Sequence, residues 1–264
     1  ILSRFSGVSC VPILIDRHEP SPIVDSLAAI SKTFSLIMLE DISAPLCFEV
    51  ESTLQKRLNI PVFHDDQHGT ATVILSALIK ALSIVGKKKE DIRVVINGAG
   101  AAGMATCKLL LEYGYKNITL CDRQGMIYQG RKEGMNQYKE SIAAATNLGK
   151  TSGSLADALK GADVFIGVSS AGLVKPEMVK TMAKKAIIFS LANPVPEIWP
   201  NIALAAGAAL AMDGRTINNA LVFPGLIRGT IDAQAKTVSY AMKFAAAEAL
   251  ASLSSKHELV PDFM

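Results

Sequence analysis

The sequence predicts an α/β protein: a doubly wound parallel sheet joined to part of a smaller α/β lobe. Three observations carry that expectation. Short apolar runs alternate with helical patterns along the chain, as parallel βαβ units require. A glycine-rich turn, Gly98-Ala99-Gly100-Ala101-Ala102-Gly103, stands between an apolar run and a helical pattern. Two acidic pairs, Glu40-Asp41 and Asp65-Asp66, each close an apolar run.

The elements follow in order. VSCVPILID (8–16) reads as a strand ending in an acid, and SPIVDSLAAISKTF (21–34) as a helix with Ser21 as N-cap and Pro22 at its first position. SLIMLED (35–41) is a second strand, CFEVESTLQKRL (47–58) a helix, and IPVFHDD (60–66) a short third strand. GTATVILSALIKALSIV (69–85) is nearly all apolar, the pattern of a helix buried between layers. The stretch 91–114 reads strand, glycine turn, helix, and NITLCDRQG (117–125) is a strand carrying Asp122. Within 126–150 a loop surrounds a helix near Tyr138–Ala145. Three further strands fall in 162–170, 185–194 and 208–214, with helices at 155–159 and 176–183 between them. The alanine-rich stretch 230–255 reads as helix. The expected boundary places residues 1–68 in the smaller lobe and 69–264 in a dinucleotide-type domain ending in that helix.

Composition narrows the function classes. The chain has 264 residues, 50% hydrophobic and 19% charged, with net charge +3. That length supports one large domain or two modest ones with a real core. The basic residues are too scattered to argue for nucleic acid, and Lys87-Lys88-Lys89 before Glu90 and Asp91 reads as a solvated turn. Cys10, Cys47, Cys107 and Cys121 form no CxxC pair and are expected to be buried thiols, which favours a reducing, cytoplasmic setting. No uninterrupted apolar run approaches the ~20 residues that span a bilayer, so no membrane partner is expected. The chain starts at Ile1, and any targeting segment is expected with an upstream region.

The glycine turn fits G-x-G-x-x-G in the context that gives it meaning. RVVIN precedes it as a strand and MATCKLLLEYG follows as a helix. Gly98, Gly100 and Gly103, with Ala101 and Ala102, let backbone N–H groups approach a pyrophosphate at the helix N-terminus. Asp122 ends the next strand, where an acid accepts hydrogen bonds from a ribose. The expected domain is of Rossmann type. The acid favours NAD over NADP, while the neighbouring Arg123 leaves NADP possible.

His64-Asp65-Asp66-Gln67-His68 has two histidines at i and i+4, but a zinc motif of that spacing needs Glu at the second position and a helix. The acids are the better clue. In a parallel sheet the carboxyl ends of strands share an edge, which would gather Glu40, Asp41, Asp65 and Asp66. Hard oxygen ligands crowded in this way suit Mg²⁺ or Mn²⁺. Helix capping alone accounts for one acid per strand, not two.

A cation site beside a dinucleotide site points to metal-assisted oxidation of a hydroxy acid. LEDISAP (39–45), IPVFHDDQHGTA (60–71), NGAGAAGMA (97–105), LCDRQG (120–125), ANPVPEI (192–198) and NNALVFPG (218–225) together resemble the malic enzyme family, its shorter bacterial-type branch in particular. The resemblance implies oxidative decarboxylation of malate to pyruvate and CO₂ with NAD(P) reduction. It implies that Glu40, Asp41 and Asp66 hold a divalent cation and that Asp65 assists the general base. It further implies that Asn193 and Asn219 contact substrate, Asn193 also lying near the nicotinamide ribose. The resemblance also implies a homodimer or higher homo-oligomer.

Two departures stand out. The family's catalytic lysine and tyrosine precede the segment that Ile1–Gly7 resembles, so no residue here is named for either role. The chain by itself is therefore expected to be inactive. Relatives also carry a longer G-R-S-D-x-P-N-Q-x-N-N stretch where this chain has DGRTINNALVFPG (213–225). The rival reading is a non-catalytic nucleotide-binding or sensing module.

Overall fold

The computed structural model describes residues 1–255 and 259–261. The chain opens with α1 (Leu2–Ser6), α2 (Pro20–Ile30), β1 (Ile37–Leu39), α3 (Leu46–Arg57), β2 (Val62–His64) and the long α4 (Asp65–Val85). It continues through β3 (Arg93–Asn97), α5 (Ala101–Glu112), β4 (Asn117–Asp122), β5 (Gly125–Met126), α6 (Gln137–Ala143), α7 (Leu155–Leu159) and β6 (Val164–Gly167). It ends with α8 (Pro176–Lys180), β7 (Ile187–Ser190), α9 (Pro200–Ala205), β8 (Leu210–Asp213), α10 (Phe223–Asp232) and α11 (Tyr240–Leu253).

Two sheets form. β1 and β2 pair in parallel. The larger sheet runs β5-β4-β3-β6-β7-β8, parallel except for the short antiparallel β5. The chain leaves β3 toward β4 and returns on the other side at β6, so a topological switch point lies between β3 and β6, where doubly wound sheets hold ligands. The expected α/β architecture with its doubly wound sheet is what forms.

The core explains the positions. β3, β6 and β7 are covered on both faces and carry Val94, Val95, Ile96, Phe165, Ile166, Ile188 and Phe189, all buried. The inner side of α4, with Ile74, Leu75, Ala77 and Leu78, joins the core under the sheet and packs against α5 and α11. By length and composition α4 would span a bilayer, contrary to the run count above, yet most of it lies inside the protein. A separate cluster, including Val24, Leu39, Val50 and Leu54, holds α2 and α3 to the small sheet.

Several elements differ from expectation. Residues 8–16 form no strand: Val11 and Leu14 are exposed, and the segment hydrogen-bonds no neighbouring strand. β propensity cannot act without a ladder partner. α2 starts at Pro20 with Glu19 as N-cap, ahead of Ser21. β2 ends at His64, so Asp65 and Asp66 open α4 rather than close a strand. The stretch 230–255 is two helices, α10 and α11, separated by a turn in which Gln234 takes φ 49°. Cys10 is exposed, whereas Cys47, Cys107 and Cys121 are buried thiols as expected.

Candidate functional site

Strand ends and helix starts build the acidic edge. β1 and β2 are in register at Leu39 and His64, so Glu40-Asp41 and Asp65-Asp66 leave the same end of the small sheet. Asp41 takes φ 57°, which turns its backbone N–H toward Asp66, and that N–H donates to Asp66 Oδ2 at 2.9 Å. The Asp65 side chain folds back over the helix surface at Gly69, and Asn219 Nδ2 donates to Asp65 Oδ2. A Cβ at position 69 would lie 2.0 Å from Asp65 Oδ1, so glycine is what admits this contact.

Electrostatics show how crowded the edge is. Burial pushes the Asp65 carboxyl up to about 7, with the charges of Glu40 and Asp66 adding to the effect and the Asn219 hydrogen bond opposing it. Burial, then Asp66 and Asp41, raises Glu40. Among the described residues, Asp65 Oδ1 and both ring nitrogens of the buried His64 have no hydrogen-bond partner. His64 Nε2 lies 3.9 Å from Asp66 Oδ2, and burial lowers the pKa of its ring.

The donor chemistry fits a hard divalent cation, because carboxylate oxygens are the ligands such ions take and a cation would relieve the mutual repulsion. The convergence expected from sequence is incomplete. Asp65 turns to Asn219, and among the described residues no three His, Cys, Asp or Glu side chains form a ligand group.

The glycine turn sits at the switch point. Gly98 takes φ 121° against the chain leaving β6, where a Cβ would lie 2.6 Å from Val168 O. A Cβ on Gly103 would lie 1.7 Å from Gly98 O, so these two glycines are required by the turn itself. Gly100 faces open space and caps α5, while Ala101 and Ala102 form that helix's first residues. This cradle fits a pyrophosphate at a helix N-terminus.

Asp122 ends β4 as expected, but it does not stand free. Arg131 Nη1 donates to its Oδ1 at 2.8 Å, Arg131 Nη2 donates to its Oδ2, and Lys139 Nζ donates to Oδ2 at 2.6 Å. Burial alone would raise this carboxyl, yet those donors hold it at about 2. Arg123 is exposed and is not the residue that pairs with Asp122. Two cations beside the acid cancel the repulsion that favoured NAD over NADP.

Asn193 is exposed on the loop after β7. Sequence reasoning missed the residue that holds this loop. Glu197 is fully buried, and its carboxylate accepts Ser169 N at 2.9 Å and Ala192 N at 3.1 Å, tying together the loops after β6 and β7. The short DGRTINN stretch closes compactly: Arg215 pairs with Asp213, and Ile217 is buried.

Glu51 was also missed. It faces inward from α3 beside Cys47, Val50 and Leu54, and a lone acid on an apolar helix face was the available signal. Its carboxylate accepts His64 N at 2.9 Å, Gln67 Nε2 at 3.0 Å and His68 Nε2 at 3.0 Å. His64 meets Glu51 through its backbone N–H and His68 through its ring, and among the described residues the pair belongs to no metal-ligand group.

Comparison with known proteins agrees with this geometry. The family described as "Malic enzyme, NAD binding domain" matches residues 67–263. The chain is 48% identical to the bifunctional malic/malolactic enzyme of Bacillus subtilis (strain 168), covering 100% of this chain and 66% of that protein. It is 47% identical to an NAD-dependent malic enzyme of Geobacillus stearothermophilus, covering 98% of this chain and 55% of that protein. It thus spans under two thirds of these relatives' lengths. The crystal structure of an NAD-dependent malic enzyme from Thermotoga maritima superposes with TM-score 0.95 at 40% identity, covering 99% of this chain and 71% of that one.

Proposed function

Because this chain belongs to the malic enzyme family, we propose that the protein oxidises malate with NAD or NADP and decarboxylates the product to pyruvate and CO₂. The observation that carries the proposal is the crowding of Glu40, Asp41, Asp65 and Asp66 on one edge, with Asn219 delivered to it from a distant loop. A nucleotide fold alone has no need of four acids there.

In this reading Glu40, Asp41 and Asp66 hold the divalent cation, Mg²⁺ or Mn²⁺. When bound, the dinucleotide supplies a hydride acceptor and the cation a Lewis acid for the substrate's oxygens. The chain's own residues do the rest. Gly98 to Gly103 seat the pyrophosphate, and Asp122 orients the ribose while its charge is neutralised by Arg131 and Lys139. Asp65, buried beside these acids and held by Asn219, acts as partner of the general base. Asn219 positions Asp65 and offers its amide to a substrate carboxylate. Asn193, on the loop pinned by Glu197, reaches toward substrate and nicotinamide ribose. Residues 1–68 act as the substrate and metal lobe and 69–264 as the cofactor domain, in a homodimer or larger assembly working in the cytoplasm.

The test is Mn²⁺ binding, read by electron paramagnetic resonance, with malate-dependent NAD(P)⁺ reduction measured on the protein at its full genomic length. Asp66→Asn is expected to weaken Mn²⁺ at least tenfold and to abolish turnover. A wild-type protein that neither binds Mn²⁺ nor reduces NAD(P)⁺ with malate would leave the non-catalytic reading in its place.

A further inference from the structure

We infer that the cavity enclosed by α3, α5 and the start of α11 is a second small-molecule site, one that takes a small anion on Lys243. The cavity measures about 380 Å³ and is lined in part by Glu51, Ser52, His68, Lys108, Tyr240 and Lys243. Its size lies in the ~300–1,000 Å³ range of small-molecule sites. None of Glu40, Asp41, Asp65, Asp66, Asn219 or Gly98–Gly103 lines it, so it is separate from the acidic edge and the glycine cradle.

Lys243 is the reason to expect an anion. It is 6% exposed, yet it borders the cavity. Its ammonium group has three donors. Among the described residues its hydrogen-bond partner is His68 Nδ1 at 3.0 Å, and the Tyr240 ring centroid lies 5.1 Å from Nζ. With Lys243 donating, His68 Nδ1 accepts and His68 Nε2 carries the proton that goes to Glu51. The Glu51 carboxylate is already shared among three donors and makes no direct hydrogen bond to Lys243 among the described residues, so its charge acts on the ammonium across the His68 imidazole. Among the described residues two ammonium hydrogens have no acceptor, and the group borders open volume. A buried cation without a contacting carboxylate is costly unless an anion completes it.

The backbone reinforces the charge. α11 has 14 residues, and its first turn opens on this cavity. The aligned peptide dipoles add positive potential there. Ser239, its N-cap, accepts Met242 N and keeps its own hydroxyl proton for a ligand. Lys108 adds a second cation from the exposed side of α5. Burial draws the Lys243 amine down to about 8, opposed by the Glu51 charge, which leaves it mostly charged at neutral pH. Two cations and a helix N-terminus face this volume against one carboxylate, Glu51, whose charge is met by three donors, and the balance suits a compact anion, a phosphate or a short dicarboxylate.

The test follows the side-chain ¹⁵Nζ and ¹³Cε resonances of Lys243 in the intact chain. Inorganic phosphate and, separately, succinate are titrated at constant ionic strength set with NaCl. The expected result is a saturable shift of the Lys243 signal with at least one probe, half-complete at or below about 10 mM. Lys243→Met should abolish the accompanying rise in melting temperature, and Lys243→Arg should keep it. Assignment through the lysine's own carbons makes the titration independent of whether Lys243→Met folds. A Lys243 signal that neither probe moves overturns the inference, as does a thermal shift that persists unchanged in Lys243→Met.

Discussion

At the scale of single residues, Asp122 shows how a legible side chain acquires an illegible environment. Its place at the end of β4 follows from strand pattern and spacing. Its partners Arg131 and Lys139 come from a loop and a helix that local pattern does not aim anywhere. The consequence is measurable. A carboxyl held at about 2 when folded and near 3.8 when unfolded contributes stability that is complete above 3.8. That contribution is lost as pH falls through this window toward about 2. Urea melts of wild type and Asp122→Asn between pH 7 and pH 2 should therefore converge at the acid end, whereas a pH-independent difference counts against the ion pairs. Gly69 gives a steric prediction. Gly69→Ala places a methyl group 2.0 Å from Asp65 Oδ1 and must drive that carboxylate off Asn219. The expected loss is about 1–3 kcal/mol in a urea midpoint analysis, together with reduced turnover. A variant as stable and active as wild type would show that the Asp65–Asn219 contact is dispensable.

Among the elements, α4 bears most of the structure. Its apolar run announces a buried helix, and its inner side is buried from Gly69 to Val85. Its start lies four residues before the one the pattern predicts, because Asp65 and Asp66 follow an extended IPVF and read with it as strand. Acids in a first helical turn are favoured by the helix dipole, and this preference outweighed the strand reading. Leu75 is fully buried, so Leu75→Ala should cost about 2–5 kcal/mol by chemical denaturation. A cost below about 1 kcal/mol would mean that α4 does not pack between the sheet and α11. α10 and α11 show the reverse error: alanine-rich composition reads as one helix, and composition alone does not show where Gln234 turns the chain.

For the whole molecule, the extended segment 7–19 is the outlier. It carries Val11, Ile13 and Leu14 on the surface and belongs to no sheet. Brief digestion with a broad-specificity protease should cut there first and leave a core beginning near Pro20, as read by mass spectrometry. First cleavage inside the β3–β6 sheet would contradict the burial pattern, since exchange and cleavage follow local opening.

What the sequence determined by itself was local. Alternating strand and helix periods specify a parallel sheet, G-x-G-x-x-G between strand and helix specifies the cradle, and acids after two apolar runs mark one sheet edge. The tertiary structure decided what depends on residues far apart in the chain. It set Asn219 against Asp65 across 154 positions and Lys243 against His68 across 175. It neutralised Asp122 with a loop and a helix, and it left residues 8–16 without a strand partner. Spacing along a chain encodes which face a side chain takes, whereas the partner it meets is fixed only when helices and strands pack.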